Sequence, residues 1–202
     1  MKLVPNILSG IRIVLAIVFI TLYLQNAIIW RSLSVAVFAV AVVTDFFDGY
    51  IARNYGAQSN SGIFLDPLAD KVLTFSGFAC LPFLNPEQFP WFAIGIIYAR
   101  DIFITLMRVW AEHKNITMQT RYTAKVKTFT QMLFLYTVLL LGVFAQSDIA
   151  LAPYCSEILQ SSLMSWLLWS VVAITVYTGF EYVYVNWNIF QKKAEWTNLK
   201  RY

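Results

Sequence analysis

Four aspartates, Asp45, Asp48, Asp66 and Asp70, stand close together in a chain that is otherwise overwhelmingly apolar. The segment around them reads TDFFDGYIARNYGAQSNSGIFLDPLADK. Asp45 and Asp48 are three residues apart and Asp66 and Asp70 are four apart. On helices both spacings put the members of a pair on one face. A carboxylate at membrane depth is disfavoured by roughly 2.5 to 3.5 kcal/mol, so a compensating partner is expected. Converging acids repel one another unless cations sit between them, and an all-oxygen cluster suits hard divalent ions such as Mg²⁺, Mn²⁺ or Ca²⁺. A lone intramembrane acid commonly does no more than pair with an arginine; four in this arrangement ask for more. Positions 45, 48, 49 and 52 form one stripe at helical periodicity. Gly49 and Ala52 leave room for a group close to the backbone, and Arg53 can pair with phosphate oxygens or with an acid. Gly62 can do the same service at the start of the next helix. Carboxylates, a metal, small residues and an arginine at one interface favour a phosphate-bearing ligand with a lipid part.

The elements that must hold these residues are long apolar runs. The chain has 202 residues, of which 59% are hydrophobic, 17% aromatic and only 13% charged. That is too apolar for a soluble domain of this size. Pro5 and Asn6 suit a helix start, since asparagine is a good N-cap. Apolar runs then cover about 7–30, 32–51, 62 or 66 to 84, 91–110, 123–145 and 162–187, joined by polar or proline-containing links. Pro67 fits the first turn of the third run, where a missing N–H costs little. Each run approaches the roughly 20 apolar residues that cross a bilayer. The expectation is an all-α integral membrane bundle of six transmembrane helices, one domain over residues 1–202. The first run carries no small-residue cleavage site and reads as a retained helix. Cys80 and Cys155 offer neither metal-ligand spacing nor a disulfide framework. His113, in a polar link, reads as an exposed residue without a special role.

Charge placement orients the bundle. With a cytoplasmic N-terminus, the outward connections fall near residues 26–32, 85–90 and 146–161, and of the 15 Lys and Arg only Arg31 lies there. That is the positive-inside pattern. The same orientation puts all four aspartates at the cytoplasmic ends of the second and third helices. The expected location is the inner, or cell, membrane with the site facing the cytoplasm.

The pattern Asp45-x2-Asp48-Gly49-x2-Ala52-Arg53-x8-Gly62-x3-Asp66-x3-Asp70 resembles the full motif of the CDP-alcohol phosphotransferases, with no departure at any defined position. Six spans with cytoplasmic acids agree with that family's fold. The resemblance implies transfer of a phosphatidyl or similar phosphoryl group from a CDP-linked donor to an alcohol, with release of CMP. It implies two divalent ions, Mg²⁺ or Mn²⁺, held by Asp45, Asp48, Asp66 and Asp70, with Asp70 as general base. It implies contacts to the CDP-lipid from Gly49, Arg53 and Ser59, and a homodimer. Asn6, Ser9 and Arg12 lie at the same membrane level and are candidates to touch the nucleotide or phosphate.

The second half of the chain narrows the acceptor. Arg100 and Arg108 are eight apart and share a helix face; Arg121 precedes Lys125 and Lys127 at the start of the fifth run. Five cations at the level of the acids suggest a pocket for an alcohol that already carries phosphate, although for each cation alone positive-inside decoration is an alternative. Asp101 is a candidate structural partner of Arg100. Phe64 to Lys71, Arg100-Asp101-Ile102, Leu106-Met107-Arg108 and Lys125-Val126-Lys127-Thr128 with Gln131 are similar to family members that use sn-glycerol 3-phosphate as acceptor. Those members more often have Glu where Asp101 stands and Gly where Ala124 stands. The implied partners are CDP-diacylglycerol and glycerol 3-phosphate, with membrane lipids and no nucleic acid. Other acceptors, as in cardiolipin or inositol-phosphate-using relatives, stay open. Outside the class, a cation transporter would use intramembrane acids too, but the outer halves of the runs offer no continuing polar route.

Overall fold

Apolar runs separated by short polar links form helices because, in an apolar medium, only a helix satisfies every backbone group within one segment. The computed structural model describes the backbone at residues 4–25, 27–55, 62–114, 118–119 and 121–199, and the side chains at 10–25, 27–44, 71–114, 118–119 and 121–187. The described residues form seven helices: α1 (Val4–Tyr23), α2 (Ile28–Tyr55), α3 (Gly62–Leu84), α4 (Trp91–His113), α5 (Tyr122–Ala145), α6 (Ala152–Gln160) and α7 (Ser162–Leu199). No strand occurs among them.

Helix α1 illustrates the pattern. Arg12, Ala16, Phe19 and Tyr23 recur at helical spacing and are buried, whereas Val14 and Ile17, equally apolar, are more than half exposed. A helix apolar on all sides is at home in a membrane, one face on protein and the other on lipid. Across the molecule the same inversion holds: Phe92, Phe129, Trp166 and Phe180 all lie outside. Helix α5 and the Ser162–Trp187 part of α7 are each long and apolar enough to cross a bilayer.

Helix α1 packs on α2 and α3, and α7 packs on α4 and α5. Phe19, Phe38, Phe78, Leu135 and Leu168 draw five helices into one core. Contact registers give the directions. Added at Gly77 of α3, a Cβ would lie 2.5 Å from Leu135 of α5; added at Gly142 of α5, it would lie 3.1 Å from Leu84 of α3. Both partners advance by the same two turns, so α3 and α5 run parallel, each glycine receiving a leucine of the other. Close backbone approach at small residues is the usual way helices associate where lipid removes the hydrophobic drive. Phe75 meets Tyr98 and Phe83 meets Trp91, so α3 and α4 are antiparallel. Helix α7 runs parallel to α4 (Thr178 on Arg100, Tyr182 on Arg108) and antiparallel to α5. The starts of α3 and α5 and the later parts of α4 and α7 therefore meet at one end. The opposite end is closed by Gln88, which donates to the Gln160 carbonyl (2.9 Å) and accepts from Ser165.

Several boundaries differ from the sequence expectation. The first run does not continue to Trp30 as one helix: α1 ends at Tyr23, and Trp30 and Arg31 belong to α2. Polar Gln25 makes that break, reaching back to the Thr21 carbonyl while its own carbonyl accepts from Arg31. The connection expected over 146–161 contains helix α6, because Pro153 sits in the first turn, where proline is favoured, and Cys155 and Leu159 give the helix a buried face. His113 is the last residue of α4, not a link residue, and is exposed. Helix α7 continues past Trp187 to Leu199, since no glycine or proline follows to stop it.

The glycines separate two effects. Gly77→Val should lower thermal stability in detergent by about 1–3 kcal/mol through overpacking against Leu135. Gly95→Ala, with nothing within 4 Å of an added Cβ, should leave stability unchanged or raise it by up to about 1 kcal/mol. Equal behaviour of the two variants would contradict the α3–α5 register.

Candidate active site

Of the four aspartates, Asp45 and Asp48 fall in the C-terminal part of α2 and Asp66 and Asp70 in the first turns of α3. Their side chains lie outside the described residues, as do those of Asn6, Ser9, Gly49, Ala52, Arg53 and Gly62; Ser59 lies wholly outside. Consecutive helices thus carry the acids on either side of one short link. Among the described side chains, no group of three His, Cys, Asp or Glu could hold a metal. An all-carboxylate donor set on α2 and α3 fits a hard divalent cation.

One residue after Asp70, the description resumes at Lys71. Its ammonium lies 3.9 Å from Asp101 on α4. Asp101 is fully buried, and both its oxygens accept from Lys127 of α5, at 2.6 and 2.7 Å. Arg100, its chain neighbour, donates to the first of these oxygens at 2.9 Å. Side chains from α3, α4 and α5 therefore meet on a single carboxylate. Three cations approach this one carboxylate.

Helix α7 holds the other side. Thr178 accepts from Arg100 at 3.2 Å. Gly179 lies flat against the same arginine: an added Cβ would be 3.0 Å from Cγ and 3.3 Å from Nε. That Nε is buried and has no hydrogen-bond partner among the described residues. Below this level Gln131 of α5 donates to Thr175 at 3.0 Å. Glu181 accepts from Arg121 at 3.1 Å and also from Thr123. Tyr182 packs under Arg108, whose guanidinium lies 5.9 Å from the ring centroid. Asn186, fully buried, accepts from the Gln119 amide at 3.0 Å and donates to the Gln119 carbonyl at 3.2 Å. It clasps the α4–α5 connector as a neighbouring strand would.

The five cations are thereby divided. Arg100 and Lys127 converge on Asp101; Arg121 goes to Glu181, Arg108 stands over Tyr182, and Lys125 is exposed. Arg12 is buried on α1. The sequence reading gave no role to the α7 residues Thr175, Thr178, Glu181, Tyr182 and Asn186. A signal was there: 175, 178, 182 and 186 are polar positions at helical spacing in an otherwise apolar run, which marks one face turned to polar partners.

Comparison with known proteins falls on the same elements. Residues 2–177 match the family described as CDP-alcohol phosphatidyltransferase, and the chain belongs to that family. It is 33% identical over 182 residues to the CDP-diacylglycerol–glycerol-3-phosphate 3-phosphatidyltransferase of Rickettsia typhi, which covers 90% of this chain and 96% of that protein. The enzyme of the same name from Escherichia coli K12 is 33% identical over 138 residues, 65% of this chain and 74% of the relative. A probable phosphatidylglycerophosphate synthase of Mycobacterium tuberculosis is 29% identical over 181 residues, 88% and 78% of the two chains.

The clasp can be tested apart from activity. Asn186→Leu should speed amide exchange around residues 118–124 by an amount corresponding to about 1–3 kcal/mol of lost local stability. Exchange in α1 should stay as in the parent. Unchanged protection of the connector would remove Asn186 from its support.

Proposed function

We propose that this protein transfers the phosphatidyl group of CDP-diacylglycerol to sn-glycerol 3-phosphate, giving phosphatidylglycerophosphate and CMP. The observation that carries this reading is the end of the bundle where α3 begins: the turn of α3 that carries Asp70 leads directly into Lys71, which joins Arg100 and Lys127 around Asp101. Acids suit a metal-held diphosphate, and cations suit an acceptor that is itself a phosphate. Two relatives named for glycerol 3-phosphate, each 33% identical, support the choice of acceptor.

In this reading Asp45, Asp48, Asp66 and Asp70 hold two divalent ions, Mg²⁺ or Mn²⁺, which when bound neutralise the phosphate charge. Gly49 and Ala52 let the donor lie close to α2, and Arg53, Ser59, Gly62 and Asn6 face its phosphates and nucleotide. The acceptor hydroxyl attacks the phosphorus that bears the diacylglycerol, and the bond from that phosphorus to the CMP oxygen breaks. Asp70 takes the hydroxyl proton, for which hydrogen-bond reach is enough. Arg100 orients the acceptor phosphate, Lys127 supports it through Asp101, and Arg108, Arg121 and Lys125 add positive charge at the same end; positioning supplies most of what phosphoryl transfer requires.

The site faces the cytoplasm of a cell membrane, in one domain with six spans. The alternating directions of α3, α4, α5 and α7 support that count, with α6 a short helix at the opposite end. The membrane holds the lipid tails while the soluble acceptor enters from water. The working unit is a homodimer.

Purified protein with CDP-diacylglycerol should release CMP with glycerol 3-phosphate and not with serine, inositol phosphate or phosphatidylglycerol. Asp70→Asn should cut CMP release at least about a hundredfold while the donor still binds. Chelation should abolish turnover and added Mg²⁺ or Mn²⁺ should restore it. CMP release with another acceptor alone would overturn the substrate assignment; near-parent turnover of Asp70→Asn would remove it as base.

A further inference from the structure

We infer that Asp101, which meets no reacting atom, is the positioning residue that shapes the acceptor end of this site. The inference rests on the acceptor reading above. Asp101 is fully buried, yet three cations from three helices approach it: Lys127 at 2.6 Å, Arg100 at 2.9 Å and Lys71 at 3.9 Å. As a stability device this is poor design. Taking a carboxylate and the cations around it out of water costs desolvation for each member. Arg100 also keeps a buried Nε–H without a partner among the described residues, against the bare face of Gly179. Any smaller apolar side chain at position 100 would avoid that loss.

The arrangement makes sense as a holder. Lys127 spends its ammonium on both Asp101 oxygens and is itself almost fully buried, so it braces the carboxylate. The braced carboxylate then fixes one edge of the Arg100 guanidinium, and Thr178 fixes the other. An arginine held at both edges presents its remaining N–H groups in one geometry, which is what fork-like recognition of a phosphate needs. Lys71 adds the link to chemistry. It follows Asp70 in the chain, so the carboxylate that aims Arg100 also sets the first turns of α3. Acceptor phosphate and acceptor base are then held at a fixed separation through one anion. A longer Glu at this position keeps the charge and can restore the contacts with modest side-chain shifts; an amide cannot hold two ammonium groups.

Steady-state kinetics on folded, detergent-purified variants decide the point, with KM measured separately for donor and acceptor. Asp101→Asn should raise the acceptor KM by about tenfold or more, as loss of a charge-assisted hydrogen bond predicts, and leave the donor KM within about twofold. Asp101→Glu should recover most of the loss. Should Asp101→Asn fail to fold, Gly179→Ala is the deciding variant: it pushes on Arg100 alone and should raise the acceptor KM by roughly threefold to fivefold. An acceptor KM unchanged in the folded variants, or both KM values moving together, overturns the inference. Failure of the substrate reading looks different. Parent protein would then make CMP with another alcohol; if that alcohol is anionic, the same comparison of KM values is made with it, and if it is uncharged, Asp101 has no phosphate site to shape and the inference falls.

Discussion

A single carboxylate with three cations around it, inside a bundle otherwise built of Leu, Phe, Val and Ile, is the constraint on which this molecule depends. Between apolar helices, dispersion contacts favour many registers nearly equally, because lipid tails are as good a neighbour as leucine. Asp101 removes that freedom. Lys127 can reach both its oxygens only at one rotation and depth of α5 against α4, and Lys71 sets α3 in the same frame. Breaking such a pair by removing one partner commonly costs about 3–5 kcal/mol, since the other charge stays buried. The pairing therefore specifies one arrangement more than it adds net stability.

The rest of the bundle respects that frame. At the far end Gln88, Gln160 and Ser165 tie α7 to the α3–α4 turn with neutral hydrogen bonds. In between, Gly77 and Gly142 let α3 and α5 close to leucine contact. Nothing charged is needed there, and nothing charged is present in the described core of that half. The molecule is polar at one end, apolar through the middle, and lightly polar at the other end. A CDP-alcohol phosphatidyltransferase needs this division: lipid tails belong in the bilayer, while a nucleotide belongs at a wet, charged boundary.

Helix α7 links the two demands. Its outward face carries Phe180, Tyr184 and Trp187 to lipid, and its inward face carries Thr175, Thr178, Tyr182 and Asn186. The same helix therefore anchors in the bilayer and supports Arg100, Arg108 and the connector that leads into α5. Glu181, at the edge between these faces, takes Arg121 and Thr123. Arg121 is largely exposed, so this pair contributes little stability; its effect is to steer the first turn of α5.

The fold class was legible in the sequence because apolar run length and helix geometry are local properties. So was the family, because Asp45, Asp48, Gly49, Ala52, Arg53, Gly62, Asp66 and Asp70 lie within one segment whose spacings need no knowledge of the fold. The places where helices stop were harder to read. Gln25 ends α1 through a side-chain reach that no hydropathy run reveals, and α6 forms because α5 and α7 offer a groove for Cys155 and Leu159. Of the division of labour among the five cations, only the pairing of Arg100 with its neighbour Asp101 could be read. The others look alike as a list; burial of Lys127 against Asp101, stacking of Arg108 on Tyr182 and pairing of Arg121 with Glu181 depend on residues 26 to 74 positions away. Residue type and local spacing determined the chemistry that this chain can carry. Only tertiary packing decided which charge faces which, since electrostatic partnership inside an apolar bundle follows distance in space and not order along the chain.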